Sequence, residues 1–548
     1  MAGSDIAIIL SIIGFLGAWL MRPLSFRSCV LLLFACVGVL SCVWGMMEDR
    51  WQAKDALFVT VGFVCVALFV LIRNKPRKTG FPFVSGSVFL ICSSFGLYQL
   101  YLFPISSIPK PTGDYIVGVR DFELDDTSRL GVLGVDSNEE RRLLLRVWYP
   151  AQDKAGIKRA RYFRTKEVDH TAKGIGTLFG KPELLTHLGH VRTNSYENAP
   201  VLEGASDLPT ILYSHGYLMY AGQHEALMEN LVSHGYVVYA IQHSRDSSST
   251  VFPDGDVVEM DMSIFEDASV QTKTEEMIAS LSGNTFDERI QGVIGSSAQM
   301  FPYDGRFLQS IPVWFKDRLF VHNQLAEGKV PESVRDIVQI SNWEKTGQMG
   351  MSFGGSVIGA ICMVDKRCAA GVNIDGRDFH IQTIANEMPV PFLMIHSDLQ
   401  KFYASEGVTP PGKGKTENDF SYERLDKIGL KDDFYRMEIQ GAHHMGMSDL
   451  PLFIRDPLKT EFVGETPVEV IIRGQNDLIR SFFDKYLRDM SNDFPVSQLE
   501  PYKDWITEID LTELREWWLA LESDVRIDIE NQLKDLRARE AREMGIND

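Results

Sequence analysis

Apolar residues are concentrated in four segments before residue 105, and the hydrophobic pattern changes after Pro109. The segments span about residues 6–21, 28–47, 56–72 and 81–103. The second carries no charged residue, and the fourth lies in a charge-free run from Thr79 to Pro109. A spanning helix needs about 20 apolar residues, with a lower limit of about 17. The pattern therefore predicts four transmembrane helices within residues 1–109.

Beyond Pro109, short apolar runs alternate with longer polar stretches. This alternation is typical of a mostly parallel sheet covered by helices. The clearest predicted strands are Leu144–Tyr149, Thr210–Tyr213, Val237–Ile241, Gly347–Met351, Ala370–Ile374, Phe392–His396 and Phe434–Ile439. We therefore predict an α/β domain over 110–500, with an insertion at about 250–330.

The insertion and the carboxyl-terminal segment have patterns of their own. The insertion holds the aromatic-rich runs Met300–Tyr303 and Phe307–Phe315, which fit either a lid or acyl-chain wall, or a helical cap packed as core. In the last segment, 501–548, apolar residues recur every three or four positions from Leu511 onward. That spacing predicts an amphipathic helix that docks on its own domain or pairs with another subunit.

Basic residues in the short loops predict the membrane orientation. Two follow the first apolar segment and four follow the third, whereas the second loop, Glu48 to Asp55, is slightly acidic. Because Lys and Arg accumulate on the cytoplasmic side, the first and third loops should be cytoplasmic. The catalytic domain would then lie on the periplasmic or extracellular side of a bacterial cytoplasmic membrane. A cleaved signal peptide over residues 1–21 is disfavoured, because Asp5 stands where basic residues are expected.

Charge and cysteine content narrow the possible partners. The whole chain carries a net charge of −19, so bulk charge does not hold it to nucleic acid or anionic lipid. Of the seven cysteines, Cys362 and Cys368 lie outside the apolar segments. Two such residues form no disulfide framework, and we predict that each is a buried free thiol.

Candidate chemistry follows the predicted strands. In open parallel sheets the ligand site lies beyond the carboxyl ends of the strands. The residues at these positions are Ser214–Tyr217, His243, Ser352, Asp375, Asp398 and Gly441–His444. They contain a serine, acids and histidines in the order nucleophile, acid, histidine, which is expected of α/β-hydrolases.

Within this set, Ser352 lies in a G-x-S-x-G pattern, Gly350–Gly354, between an apolar strand and a small-residue helix. This context predicts that Ser352 is a nucleophile on a strand-to-helix elbow. Either His443 or His444 could act as general base, and either Asp375 or Asp398 could orient it.

The elbow geometry also predicts the oxyanion donors. These are the backbone N–H groups of Phe353, which follows the nucleophile, and of Tyr217, which follows an early strand. We expect His215 to make a structural hydrogen bond rather than to act in catalysis.

Several motifs together resemble those of platelet-activating factor acetylhydrolases of the plasma and type II class, and of their bacterial α/β-hydrolase relatives. The resembling stretches are Thr112–Gly118, Asp126–Arg129, Arg146–Pro150, Tyr213–Gly216, Ser233–Tyr236, Gly350–Gly355, Asn373–Gly376 and His444–Asp449. The resemblance implies Ser352 as nucleophile, Asp375 as acid and, through the pattern His-x-x-x-Ser-Asp, His444 rather than His443. It also implies oxyanion donors at Tyr217 and Phe353.

Two positions differ from the family pattern. Met351 stands where the family commonly has His, and Asp398 stands where cutinase-like polyester hydrolases keep their acid, so the choice of acid stays open.

Members of this family hydrolyse short or oxidised acyl esters of phospholipids, or simpler esters, without metal or cofactor. The resemblance therefore implies a serine esterase that acts on an ester or phospholipid substrate, and the four apolar segments predict that it is anchored in the lipid bilayer. A general carboxylesterase or polyester hydrolase is the alternative within enzymes. A catalytically silent membrane receptor with the same fold is the alternative outside them. A transporter is disfavoured, because the four apolar cores hold no interior charge.

Overall fold

The computed structural model describes most of the chain as two compact units. The described residues are 3–20, 26–48, 50–73, 91, 93–94, 97–98, 100–134, 138–267, 274–405, 407–409, 415–416 and 418–546. One unit comprises Met1–Ser107, Arg161–Arg192 and Pro451–Glu461, and the other comprises Ile108–Ala160, Thr193–Leu450 and Phe462–Asp548.

The first unit contains three helices that are long and apolar enough to cross a membrane, Gly3–Leu20, Arg27–Met47 and Trp51–Arg73. Their outward faces carry large apolar side chains such as Leu40, Phe58 and Ile72. Helices that are apolar all round fit a lipid environment. The fourth predicted span, 81–103, lies largely outside the described residues.

One end of this helix group is closed by polar contacts. Asp5, in the first turn of the first helix, forms a buried ion pair with Arg50 at 3.0 Å. Arg50 precedes the third helix, so the start of the first helix and the second loop lie at the same end. Residues 161–192 lie at this end too, because Trp51 Nε1 donates to Leu184 O at 3.3 Å.

The second unit is built on an eleven-stranded sheet. Its strands are β1 Ile116–Leu130, β2 Glu140–Ala151, β3 Arg159–Arg161, β4 Arg192–Glu197, β5 Leu208–Ser214, β6 Val237–Gln242, β9 Ser341–Met351, β10 Cys368–Ile374, β11 Phe392–His396, β12 Phe434–Ile439 and β13 Ile506–Glu508. Strands β7, Thr250–Val251, and β8, Val257–Val258, form a separate hairpin. Every predicted strand is confirmed.

The strand order is β13-β12-β11-β10-β9-β5-β6-β2-β1-β4-β3. From β6 to β12 all neighbours are parallel. Strand β2 joins this parallel part antiparallel to β6, and β13 pairs antiparallel with β12. The carboxyl ends of β5, β9, β10, β11 and β12 therefore meet along one edge, as the α/β prediction requires.

Further helices lie in both units, and those of the second unit cover its sheet and make up much of the insertion. The longer ones are Glu225–Ser233, Glu275–Ser282, Phe286–Met300, Arg306–Ala326, Phe353–Val364, Gln475–Leu487, Thr512–Ala520 and Ser523–Met544, and the shorter ones are Lys173–Leu178, Arg335–Ile340, Leu399–Ser405 and Leu458–Val463. The carboxyl-terminal segment forms two helices instead of the single predicted one. Trp518 and Leu533 from these helices join the same apolar cluster as Trp314 and Phe353, so the segment docks on its own unit.

The prediction that Cys362 and Cys368 are free thiols is wrong. Their sulfur atoms are bonded at 2.07 Å, and their Cα atoms are 5.2 Å apart. Cys362 lies near the end of the helix Phe353–Val364, and Cys368 begins β10. The chain reverses between them, which brings two residues six positions apart within disulfide range.

Candidate active site

Ser352 lies on a sharp turn between β9 and the helix Phe353–Val364. Its backbone has φ 54° and ψ −122°, a conformation that non-glycine residues rarely adopt. The flanking glycines make the turn possible: a Cβ on Gly350 would lie 2.3 Å from Gly354 O, and one on Gly354 would lie 2.3 Å from Ser214 O. The G-x-S-x-G spacing is therefore required by close backbone approach.

The ring of His444 lies beside Ser352. Its Nε2 is 2.9 Å from Ser352 Oγ. His444 begins a short 3₁₀ helix, His444–Met447, after β12. The end of that helix is held by His224, whose Nε2 donates to Met447 O at 2.7 Å. Of the two candidate histidines, it is therefore His444 that the structure places at the serine.

Asp375 holds the other nitrogen of His444. Nδ1 donates to Asp375 Oδ2 at 2.6 Å, and Asp375 Oδ1 accepts the N–H of Ser397 at 2.7 Å. Burial alone would raise the pKa of Asp375, but the hydrogen bond from His444 and that from Ser397 bring it below its ordinary value. The carboxylate thus stays ionised at neutral pH.

Asp398 accepts hydrogen bonds from the backbone instead. Its carboxylate accepts the N–H of Lys401 at 3.2 Å and that of Gly441 at 2.9 Å. The first contact caps the helix Leu399–Ser405, and the second fixes the turn that leads to the histidines. Between the two candidate acids, the structure places Asp375 against His444 and gives Asp398 a supporting position.

The side chains of Ser352, His444 and Asp375 differ in their exposure to solvent. The side chain of His444 is 30% exposed, whereas that of Asp375 is 3% exposed. Ser352 is partly exposed. An ester can therefore reach the serine and the histidine, while the carboxylate is kept from water, which strengthens its interaction with the imidazole.

The loop after β5 borders the nucleophile. A Cβ on Gly216 would lie 3.4 Å from Ser352 Cβ, so a hydrogen at this position lets the loop approach. The N–H of Gly216 donates to Gln223 Oε1 at 2.8 Å. The rings of Tyr217 and Phe353, the two residues predicted to supply oxyanion donors, are 5.2 Å apart. Both residues therefore lie next to the serine.

A second serine, histidine and aspartate set was not predicted. Ser214 Oγ lies 3.0 Å from His243 Nε2, and His243 Nδ1 donates to Asp317 at 2.8 Å. All three side chains are fully buried. Asp317 is also paired with Arg141 at 2.7 Å and Arg129 at 2.8 Å. No ester can reach these three side chains. Their hydrogen bonds instead stabilise the end of β5 and the loop that follows it.

One feature of the sequence points to that buried network. Asp317 and Arg318 are two adjacent charges in the helix Arg306–Ala326, and both are buried. Buried charges need partners. Their partners Ser214, His243 and Arg141, however, lie 74 or more residues away in the sequence, so the pair indicates a buried network without identifying its other members.

Among the described residues, no group of three or more His, Cys, Asp or Glu side chains is arranged to hold a metal ion.

The sheet and the elbow at Ser352 are those of the α/β-hydrolase fold. The family model for platelet-activating factor acetylhydrolase, isoform II, matches residues 101–284. A ferulic acid esterase from Streptomyces cinnamoneus has a similar structure, with a TM-score of 0.53 and 18% identity over 74% of this chain and 100% of that one. A search of curated protein sequences gave no match. Residues 101–284 thus resemble platelet-activating factor acetylhydrolase, isoform II, and the second unit has the α/β-hydrolase fold.

Proposed function

We propose that the protein is a serine esterase with Ser352 as nucleophile, His444 as general base and Asp375 as the orienting acid. The observation that carries the proposal is the continuous hydrogen-bonded chain from Ser352 Oγ through His444 to Asp375 on a strained elbow. Strain of this kind, at a partly exposed serine in reach of a base, is costly without a function.

The reaction begins when His444 Nε2 takes the Ser352 proton and Oγ attacks the ester carbonyl carbon. The negative charge that develops on the carbonyl oxygen is stabilised by the N–H groups of Tyr217 and Phe353. The protonated His444 then gives its proton to the leaving alcohol oxygen, and the acyl group stays on Oγ. Water, deprotonated by His444, releases the acid and restores the serine.

The test is labelling with a fluorophosphonate together with hydrolysis of p-nitrophenyl acetate. Ser352→Ala should abolish both. Ser214→Ala, in the sealed second set, should still label, with the probe mapped to the peptide that contains Ser352. Full labelling of Ser352→Ala would refute the assignment. A wild type that neither labels nor hydrolyses would instead favour the silent-receptor alternative.

For the substrate, we propose carboxylic esters with the family's phospholipid type as the first to assay. The support is the family match over residues 101–284 and the apolar helices that would keep the enzyme at a lipid surface. Tethering raises the effective concentration of the site at the membrane. The general carboxylesterase alternative predicts equal rates on soluble and membrane-presented esters of the same acyl group.

We also propose that the catalytic domain faces the outside of a bacterial cytoplasmic membrane. The basic first and third loops support this orientation. The Cys362–Cys368 disulfide supports it independently, since disulfides persist in oxidising compartments. Fusing alkaline phosphatase after Pro109 should give activity and fusing it after Lys78 should not. The reverse result would place the esterase in the cytoplasm.

A further inference from the structure

A cavity of about 400 Å³ lies in the second unit between the insertion and the segment that follows β10. Its wall is mostly apolar, and the side chains that form this part include Met277, Val293, Met300, Leu308, Ile381 and Ile384. Ligand pockets have volumes of about 300–1,000 Å³ and apolar walls of this kind. The cavity is thus large enough for a small apolar group.

Two aromatic rings join the cavity to the nucleophile. Phe307 and Phe379 both line the cavity, and each ring centroid is 5.5 Å from that of Phe353. Phe353 follows Ser352 directly. The N–H of Phe379 also donates to Ser356 Oγ at 2.8 Å, which attaches this wall to the elbow helix. The cavity therefore begins one ring away from the residue next to the nucleophile.

The position of the cavity determines which half of an ester it can take. The leaving alcohol must lie toward His444, because His444 protonates its oxygen. The described residues that line the cavity belong to 274–308 and 377–384, and none of them to the loop that carries His444. The alcohol is thus directed to one side of Ser352, and the other half of the ester is left facing Phe353.

We propose that this cavity binds the acyl group of the substrate, and that the preferred acyl group is apolar and longer than acetyl. The inference rests on the proposed esterase function and names the substrate class of the same site. Burying one methylene contributes roughly 0.8 kcal/mol in transfer, so each methylene that enters should raise kcat/KM about fourfold. The gain should stop when the cavity is full.

Two ester series test the proposal. In the first, the alcohol is p-nitrophenol and the acyl chain grows from acetyl to decanoyl; in the second, the acyl group is acetyl and the alcohol varies. Val293→Trp narrows the cavity and should move the optimum of the first series to shorter chains without changing the order in the second. Gln291→Trp, on the exposed side of the same helix, is the matched control.

Three results separate the outcomes. A chain-length optimum that shifts in Val293→Trp alone supports the proposal. Equal kcat/KM across the acyl series, or a Val293→Trp effect confined to the alcohol series, overturns it while leaving the esterase intact. Absence of hydrolysis and of fluorophosphonate labelling in wild type would instead remove the proposed function.

A different observation concerns the loop after β5. His215 Nδ1 donates to Gly216 O at 2.6 Å, and its Nε2 accepts the N–H of His243 at 3.2 Å. These partners require the neutral ring with the proton on Nδ1. Burial first, and then the electrostatic interaction with His243, lowers the pKa of His215 to about 3, so the ring is neutral at neutral pH.

The carbonyl that His215 holds belongs to the peptide that carries the oxyanion donor. Gly216 C=O and Tyr217 N–H are the two ends of one planar peptide, so fixing the carbonyl fixes the direction of the N–H. Gly216 O also accepts the N–H of Met219 at 3.0 Å, and Gln223 holds the N–H of Gly216. From these contacts we infer that His215 is a positioning residue that aims the Tyr217 N–H at the oxyanion.

Two near-isosteric variants test this role. His215→Asn can keep a donor near the Nδ1 position, and His215→Gln can keep a group near the Nε2 position. Losing one oxyanion donor typically costs about 10²–10³ in kcat. His215→Gln should therefore lower kcat by up to this factor at nearly unchanged KM, and His215→Asn should restore most of it. Affinity for a trifluoromethyl ketone, which forms the oxyanion, should fall in parallel with kcat.

Thermal stability provides the control. If the role of His215 were only structural, the two substitutions would lower stability and kcat to the same extent. Equal losses of kcat in His215→Asn and His215→Gln, following their melting temperatures, would overturn the positioning role.

Discussion

Replacing Asp375 by asparagine should disable the enzyme through the tautomer of His444. Asp375 Oδ1 accepts the Ser397 N–H, so the oxygen of the new amide must face Ser397. Its NH₂ group then occupies the place of Oδ2 and points at His444 Nδ1. When Nδ1 accepts this hydrogen bond, the neutral ring carries its proton on Nε2, and Nε2 can then no longer take the proton of Ser352.

The size of the effect follows from the same contacts. Turning the amide the other way would set NH₂ against the buried Ser397 N–H and cost about 1–3 kcal/mol for the unsatisfied groups. The unproductive orientation should therefore dominate. In a serine protease the equivalent change lowers kcat about 10⁴-fold, which corresponds to about 5.4 kcal/mol of barrier. We expect a loss of that order.

The assay compares kcat for p-nitrophenyl acetate in Asp375→Asn and in Asp398→Asn, the matched control at the other candidate acid. Asp398→Asn loses one backbone contact and should cost about 1 kcal/mol of stability, with kcat within a few-fold of wild type. A crippled Asp398→Asn beside a near-normal Asp375→Asn would refute the reasoning and reassign the acid.

Three further outcomes follow from contacts outside the triad. Non-reducing peptide mapping should recover Cys362 linked to Cys368, and changing both to Ala should lower the free energy of unfolding by about 2 kcal/mol, as expected for so short a loop; two free thiols would contradict the pairing. The free energy of unfolding should fall as pH drops from about 6.5 toward 4, by up to about 1.4 kcal/mol per histidine per pH unit. The reason is that burial lowers the pKa of His215 to about 3 and of His224, His243 and His396 to about 4, so the unfolded chain binds protons that the folded chain does not; a flat denaturation profile over this range would contradict it. Gly354→Ala should abolish esterase activity and lower the melting temperature, because its Cβ would lie 2.3 Å from Ser214 O; activity near wild type would show that the elbow can shift.

The sequence predicted the parallel strands well because each is a buried apolar run with a turn at its end. Strand β1, Ile116–Leu130, was not among the clearest, since charged residues such as Arg120 and Asp121 interrupt its apolar pattern. Those charges become intelligible only with their neighbours in place: Asp121, for example, pairs with Arg146 of β2 at 2.9 Å. The local pattern of apolar residues indicates which positions are buried. It does not indicate which distant residue pairs with a given charge.

The candidate site was predictable in kind and less so in detail. The glycines around Ser352 identify the elbow, because close backbone approach limits which residues fit. Strand order alone did not separate Asp375 from Asp398, since both follow neighbouring parallel strands. The two acids differ in their hydrogen-bond partners, and Asp398 accepts two backbone N–H groups. Such contacts depend on loop geometry at a scale of about an ångström.

The division of the chain into two units has a practical consequence for making soluble protein. The chain passes between the units after Ser107, Ala160, Arg192, Leu450 and Glu461. Starting a recombinant chain near residue 110 would therefore remove the three helices but keep Arg161–Arg192, in which Leu184 would lose its contact with Trp51 and His187 its contact with Phe103. The N–H of Tyr162 donates to Val191 O at 3.0 Å, so the two ends of the segment Arg161–Arg192 are adjacent. A short turn in its place, together with the amino-terminal truncation, is the design that should yield a soluble catalytic fragment.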